Sequence, residues 1–191
     1  MNQDFWDLIK KGNESAFSQL YNQYSDMLYG YGMKIIYNDD LVTECIQKLF
    51  VYIFEKRAGL SRPESIKAYL CSSLKRILIR EYGRNNSYKI CSLEDLDEKR
   101  YDFKLSLDIE STLIKGEHEK VYLQQLQNAL DSLSPRQREV IYLKYYKSCS
   151  NDEVSEILGL DNQIIRNLAY QAIKRMKEIA NFKGDFASSL L

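Results

Sequence analysis

The stretch SNDEVSEILGLDNQIIRNLAYQAIKRM, residues 150–176, decides the fold of this chain because it encodes two helices joined by a tight turn. Ser150 and Glu153 form a capping-box pattern at the start of the first helix. Gly159 follows at the position where a helix C-cap favours a left-handed residue. Asp161 can cap the second helix, whose apolar stripe recurs every three or four residues: Ile165, Leu168, Ala169, Ala172, Ile173 and Met176.

A short helix, a glycine turn and a longer helix with a polar outer face are the parts of a helix-turn-helix. In that motif the second helix enters the DNA major groove. Arginine, asparagine and glutamine side chains read base edges, and lysine follows phosphates. A solvated pair of helices is the alternative interpretation of this pattern alone. The predicted DNA-binding residues are Gln163, Arg166, Asn167, Tyr170 and Lys174.

The residues before this motif predict two more helices. The first spans about Tyr122 to Leu133, with its apolar side chains on one face. The sequence Ser-Pro-Arg-Gln at 134–137 then supplies an N-cap, a proline for the first turn and a capping-box glutamine. We expect the helix that begins there to continue to about Tyr146.

The N-terminal half predicts three amphipathic helices, at about residues 16–35, at 40–54, and from Pro63 to about Tyr82. Proline favours the first turn of a helix, which places the start of the third helix at Pro63. On the second helix, the polar face is either ordinary surface charge or a docking face for a partner protein. Its candidate protein-binding residues are Asp40, Glu44, Gln47 and Lys48.

The third helix and the residues after it are strongly basic. From Lys67 to Lys89 there are six lysines and arginines against one acid, Glu81, which leaves a local charge of about +5. Aromatic side chains stack on unpaired bases while cations follow the backbone, so this helix is a candidate surface for separated DNA strands. A solvated face is the alternative. The candidate residues are Tyr69, Lys75, Arg76, Arg80 and Arg84.

Helical periodicity is lost between about residues 87 and 117, where acidic residues outnumber basic ones. A connection of this length is unusual inside one compact domain, so it predicts two domains joined by a tether. Fully extended, the tether could reach on the order of 100 Å. The predicted fold is all-α, with small helical domains at residues 1–88 and 118–184, an acidic linker at 89–117 and a tail at 185–191.

Composition excludes several functional classes. Two prolines and eight glycines are too few for a many-stranded β fold. The four cysteines form no Cys-x-x-Cys pair and His118 has no ligand-spaced partner, so we expect no metal site, cofactor or disulfide framework. The absence of a nucleophile and base constellation or a phosphate-binding loop predicts neither an enzyme nor a small-molecule substrate. An acidic N-terminus without an apolar run of roughly 18 residues predicts a cytoplasmic protein.

The ordered set of segments resembles the extracytoplasmic-function class of bacterial sigma factors, over nearly the whole chain. The most specific stretch is ALDSLSPRQREV at 129–140, which is very similar to the opening of sigma region 4. Residues 14–24, with Phe17, Leu20-Tyr21 and Tyr24, resemble the opening of region 2.

The resemblance implies a role for each polar face. Residues 40–54 are similar to the helix that sigma factors press against the largest polymerase subunit, and Ala68-Tyr69-Leu70 precedes a helix similar to the one that opens the −10 element. The implied function is promoter-specific transcription initiation with −10 and −35 recognition. The implied partners are core RNA polymerase, promoter DNA and an anti-sigma factor, with or without a membrane anchor. No obligate homo-oligomer is expected.

Two other functions compete with this interpretation. A stand-alone repressor or activator would sense a ligand through its N-terminal half and would usually dimerise on palindromes. A monomer that binds core polymerase would exclude it. A non-DNA adaptor would bind a partner only through the helix at residues 40–54, and loss of that binding only in the presence of competitor DNA would argue against it.

Overall fold

The computed structural model describes residues 2–85, 102–106 and 117–180, and within these ranges it contains helices and no strand. The all-α prediction is therefore confirmed. None of the described helices combines the length and the hydropathy needed to cross a bilayer. The helices are α1 (Asn2–Lys10), α2 (Glu14–Ile35), α3 (Asp39–Lys56), α4 (Ile66–Asn85), α5 (Glu117–Asp131), α6 (Pro135–Ile141), α7 (Asn151–Leu158) and α8 (Asn162–Ala180).

The chain divides into two compact units, of which the first contains α1 to α4. Helices α2, α3 and α4 pack against one another, and α1 packs on α2 and on the 3-10 turn Arg57–Gly59. Helix α1 was not among the sequence predictions. Its Trp6 is fully buried, and the indole Nε1 donates a hydrogen bond to the Ser61 carbonyl at 3.2 Å. The aromatic anchor explains why so short a helix is held in place.

Asparagine side chains start the two long helices of this unit. Asn13 Oδ1 accepts from the Ala16 amide and Asn38 Oδ1 accepts from the Leu41 amide, each at 2.9 Å. These bonds satisfy amides that the first helical turn leaves without a partner. Within α2, a Cβ at Gly32 would lie 2.8 Å from a Val42 methyl group, so α2 and α3 approach too closely there for any side chain.

The predicted start of α4 at Pro63 is wrong by three residues. The helix begins at Ile66, because the Ser65 hydroxyl accepts from the Ala68 amide at 3.2 Å and acts as the cap. Proline at 63 lies in the preceding loop instead of the first turn. The helix also continues to Asn85, beyond the predicted end near Tyr82.

The second unit contains α5, α6 and α8, which enclose a compact apolar core. The predicted capping box at α6 is confirmed: Ser134 Oγ accepts from the Gln137 amide at 3.2 Å, and Gln137 Oε1 accepts from the Ser134 amide at 3.0 Å. The predicted continuation of this α-helix to Tyr146 is wrong, because α6 ends at Ile141 and a π-helical turn follows at Tyr142–Tyr146. The core residues are Ala129, Leu130, Leu133, Ile141, Ala172 and Met176.

Part of the predicted linker belongs to the second unit. Residues 102–106 are packed against it, with Phe103 fully buried at 5.5 Å from the ring of Tyr142. The prediction of a free tether was therefore wrong for these residues, because the aromatic side chain of Phe103 is buried against Tyr142. The remainder of the predicted linker up to residue 116, the first boundary at residue 88 and the tail at 185–191 lie outside the described residues.

Candidate nucleic-acid and protein interfaces

Helices α7 and α8 form the predicted two-helix motif. Ser150 and Glu153 make both bonds of the capping box, with Glu153 Oε2 accepting from the Ser150 amide at 2.8 Å and Ser150 Oγ accepting from the Glu153 amide at 3.1 Å. Gly159 ends α7 with φ +66°, the left-handed conformation that the sequence predicted. The Asp161 carbonyl accepts from the Ile165 amide at 3.1 Å and starts α8. A short capped helix, a left-handed glycine and a longer helix thus follow one another in the order of a helix-turn-helix.

The outer face of α8 presents all five predicted DNA-binding residues to solvent. Tyr170 is 69% exposed, and Gln163 Nε2 donates to Asn167 Oδ1 at 3.1 Å, which orders two polar side chains one turn apart. The opposite face is buried through Ile165, Ala169, Ala172 and Met176. The helix therefore has one side committed to the protein core and one side with base-reading chemistry. The five predicted residues on this exposed face are Gln163, Arg166, Asn167, Tyr170 and Lys174.

Helix α4 presents three of its five predicted DNA-binding residues at the surface. The side chains of Arg80 and Arg84 are 65% and 73% exposed, and Arg76 is exposed one turn before Arg80. Lys75 is not on this face: it is only 4% exposed, so its predicted place on the outer surface is wrong. Helices α2 and α3 cover two sides of α4, and position 75 turns toward that packed side.

Tyr69 lies between the surface and the core. Its ring is half-buried and meets Trp6 edge-on at 5.7 Å between centroids. Burial raises the pKa of its hydroxyl, partly offset by a hydrogen bond with Ser73. Only part of the ring is therefore available for a base, in contrast to Tyr82, which is 40% exposed near the end of α4.

The outer face of α3 presents the four predicted docking residues, Asp40, Glu44, Gln47 and Lys48, all of which are exposed. The structure extends this face with two apolar residues that the sequence analysis missed, Val51 at 56% and Tyr52 at 50% exposure. Each follows a predicted docking residue by one helical turn and lies off the buried stripe, and that spacing was the available signal. Exposed apolar side chains beside charges are typical of protein-binding surfaces.

Glu81 connects the acidic and basic faces of the first unit. Its carboxylate accepts from Lys48 Nζ at 3.1 Å and lies 3.5 Å from nitrogens of both Arg80 and Arg84. The hydrogen bond from Lys48 is the main reason that the pKa of Glu81 is lowered. Hydrogen bonds to Glu44 and Glu81 in turn raise the pKa of Lys48. The one acid of the basic segment is thus already shared among three cations.

Among the described residues no group of three or more His, Cys, Asp or Glu side chains could hold a metal ion. The side chain of His118 lies outside the described residues. Of the cysteines, Cys45, Cys71 and Cys149 are buried thiols. Burial raises the pKa of Cys45 to about 11, so this thiol stays protonated near neutral pH.

Comparison with known proteins supports the interpretation of this geometry. The family description "Sigma-70, region 4" matches residues 123–176, which include α7 and most of α8. SigV, an RNA polymerase sigma factor of Bacillus subtilis, is 26% identical over 138 residues that cover 72% of each chain. BldN, an ECF RNA polymerase sigma factor of Streptomyces coelicolor, is 22% identical over 184 residues, 88% of this chain and 61% of BldN. This chain resembles sigma factors of the extracytoplasmic-function class, and its residues 123–176 match sigma-70 region 4.

The fold of this chain also has a solved counterpart. The sigma factor RpoE of Bartonella quintana, solved in complex with the anti-sigma factor NepR, superposes with a TM-score of 0.57 at 19% identity. The match covers 88% of this chain and 98% of RpoE. The all-α arrangement and the family resemblance predicted from residues 129–140 are both confirmed.

Proposed function

We propose that this chain is a sigma subunit that binds core RNA polymerase and directs initiation to promoters through their −10 and −35 elements. The observation that carries the proposal is the exposed polar face of α8, which follows the capped helix α7 in the part of the chain that matches sigma-70 region 4. A helix with this face enters a major groove without disturbing the core behind it. The proposal keeps the predicted domains at residues 1–88 and 118–184, and adds residues 102–106 to the second.

At the −35 element, α8 is the recognition helix. Arg166 and Asn167 lie on its N-terminal half, where side chains reach base edges, and Gln163 is ordered beside them. Lys174 lies about two turns further along and is placed for a phosphate. Tyr170, between them, offers a largely exposed ring and hydroxyl.

At the −10 element, the exposed arginines of α4 hold the separated strand. Arg76, Arg80 and Arg84 recur at one-turn intervals and form a continuous cationic edge. Tyr69 contributes the exposed part of its ring as a stacking contact. Lys75 is left out because its side chain is buried in the first unit.

The docking face of α3 receives a basic surface of the core enzyme. Asp40 and Glu44 supply negative charge, Gln47 supplies hydrogen bonds, and Val51 and Tyr52 supply apolar area. Rim charges of this kind guide encounter, and the apolar centre provides most of the affinity. Lys48 acts mainly inside the chain, through its bonds to Glu44 and Glu81.

The proposal includes an anti-sigma factor as a further partner, since RpoE of similar fold is solved with one. It places the protein in the cytoplasm, where core polymerase and promoter DNA are found, and assigns it no catalysis of its own. The chemistry of transcription then belongs entirely to the core enzyme.

The test is reconstitution with purified bacterial core polymerase. The chain should co-purify with core as a single copy and should direct initiation at a small set of sites when fragmented genomic DNA is transcribed and the 5′ ends are sequenced. Omitting the chain provides the matched control for initiation by core alone. Failure to bind any core enzyme would exclude the proposal, and dimeric binding to a palindrome without core would favour a stand-alone regulator.

A further inference from the structure

Residues 102–106, in the middle of the predicted linker, are held on the second unit by four kinds of contact. Phe103 is fully buried, with its ring tilted at 5.5 Å from Tyr142. Asp102 Oδ1 lies 3.0 Å from an Arg138 guanidinium nitrogen. Gln127 Nε2 donates to the Leu105 carbonyl at 3.1 Å, and the Leu105 side chain packs against the apolar core. We call this segment, residues 102–106, the clasp.

The surface that receives the clasp is an aromatic ladder at the π-helical turn. Tyr142 stacks on Tyr146 at 5.2 Å with an interplanar angle of 18°, and Lys147 Nζ lies over both rings at 5.5 and 5.0 Å. Tyr142 is buried whereas Tyr146 is 72% exposed. Phe103 therefore closes the inner end of the ladder, and its removal would open a hydrophobic hole beside α6. The clasp is an integral part of the second unit.

The clasp changes the number of residues that connect α4 to the next held part of the chain. Helix α4 ends at Asn85 and the clasp begins at Asp102, a separation of 17 residues that can span at most about 60 Å. Without the clasp, the next described element is α5 at Glu117, a separation of 32 residues that can span at most about 110 Å. The difference of about 50 Å equals the length of about 15 base pairs of B-form DNA.

We propose that the clasp sets the distance over which the two DNA-binding units of this sigma factor can act together, and so limits the −10 to −35 spacing that it accepts. The proposal rests on the proposed function. Phe103 is a specificity-determining residue in this scheme although it touches no DNA. Two joined units bind more tightly than one only if the tether can reach from the −10 to the −35 element. The length of the tether therefore selects among promoters with different spacings.

The first measurement asks whether the clasp is docked in solution. Limited trypsin digestion followed by mass spectrometry compares cleavage after Lys104, inside the clasp, with cleavage after Arg100, just before it. We expect the Lys104 site of the full chain to be cut at least tenfold more slowly than the Arg100 site. Phe103→Ala should remove most of that protection, whereas Ser106→Ala, an exposed position in the same segment, should keep it.

The second measurement is transcription by holoenzyme on one promoter whose spacer is lengthened or shortened in single base-pair steps. We expect Phe103→Ala to raise activity severalfold, relative to the best spacing, on spacers two to four base pairs longer. Inserting six glycine and serine residues after residue 95 lengthens the tether without touching the clasp and should have the same effect. Asp102→Asn weakens the contact of the clasp with Arg138 and is a milder change. It allows the same comparison if Phe103→Ala does not fold.

The outcomes separate the two proposals. Equal cutting at Lys104 and Arg100 in the unaltered chain would overturn the clasp, and so would a spacing profile that neither Phe103→Ala nor the insertion alters. Broadening by both changes would support it. Lack of transcription from every spacer by the unaltered chain would refute the sigma function and the spacing role with it, while the digestion would still decide whether the clasp is docked.

Discussion

Lys48 on α3 bridges two carboxylates, Glu44 on the same helix at 2.9 Å and Glu81 on α4 at 3.1 Å. The bridge joins the helix proposed to dock on core polymerase to the helix proposed to hold the −10 strand. A change of charge on either helix therefore alters the electrostatic interactions of the other through the Lys48 ammonium group. The effect is reduced because each ion pair is partly exposed and screened by water.

We predict that Glu81→Gln lowers the Tm of the first unit at pH 7 and that the difference disappears in acid. The pKa of Glu81 is below its ordinary value of 4.5 in the folded protein, so the stabilisation is complete above pH 4.5 and is lost as the pH falls through the lowered value. The emission of Trp6, the one tryptophan of the chain, reports unfolding of this unit. Glu55→Gln, exposed on α3, is the control. A difference in Tm that does not shrink as the pH falls below 4.5 would contradict the prediction.

Charge reversal at Glu44, or Gln47→Ala, should weaken binding to core polymerase while the helical content stays unchanged. Both side chains are exposed and lie away from the buried face of α3, so neither supports the core. We expect a loss of about tenfold in affinity for each. Binding is measured by fluorescence polarisation of labelled chain against purified core, with Gln19→Ala on α2 as the control. Lost helicity in either variant would show a structural role instead.

Replacing Arg76 and Arg80 together with alanine should slow promoter strand opening about tenfold with a smaller effect on initial binding, because these exposed arginines are proposed to hold the separated strand. Lys75→Ala should instead lower the free energy of unfolding by about 1–3 kcal/mol, because the buried stem of Lys75 supports the first unit. Opening is followed by the fluorescence of 2-aminopurine in the −10 element. Equal loss at both steps in the double variant would indicate general phosphate attraction only.

Gly159→Ala should lower the free energy of unfolding of the chain by about 1–2 kcal/mol and weaken −35 binding in parallel. The cause is backbone conformation alone, since φ is +66° and an added Cβ would meet nothing within 4 Å. Gly59 is the matched control, because its Cβ would also meet nothing and its φ is not in the left-handed region. Urea unfolding followed by circular dichroism compares the two variants, and equal effects would refute the backbone argument.

Arg166→Ala should cost about 1–3 kcal/mol of binding free energy and relax base preference at one −35 position, as expected for a bidentate contact near the start of a recognition helix. Lys174→Ala should instead weaken all promoters alike and lower the salt slope of binding by about one unit. Holoenzyme footprints and binding titrations at several salt concentrations measure both effects. A −35 footprint unchanged by either substitution would show that α8 does not face DNA.

The sequence by itself determined seven of the eight described α-helices, the caps of α6 and α7 and the two polar faces on α3 and α8. Apolar residues at three- and four-residue spacing encode these features locally, and a serine three residues before a glutamine or glutamate marks a helix start without tertiary context. The capping boxes at Ser134 and Ser150 and the left-handed Gly159 accordingly agree with the structure. The family assignment followed from the same local patterns.

Only the tertiary structure decided which side of a helix is covered when more than one neighbour packs on it. Lys75 sits among exposed cations in sequence but is buried, because α2 and α3 enclose two sides of α4. The burial of Phe103 could not be predicted either, because an acidic stretch without periodicity predicts a tether. Burial of its ring against Tyr142 stabilises residues 102–106 by more than the conformational entropy that they lose. Such long-range contacts depend on the shape of the pocket that receives the side chain, which no local pattern encodes.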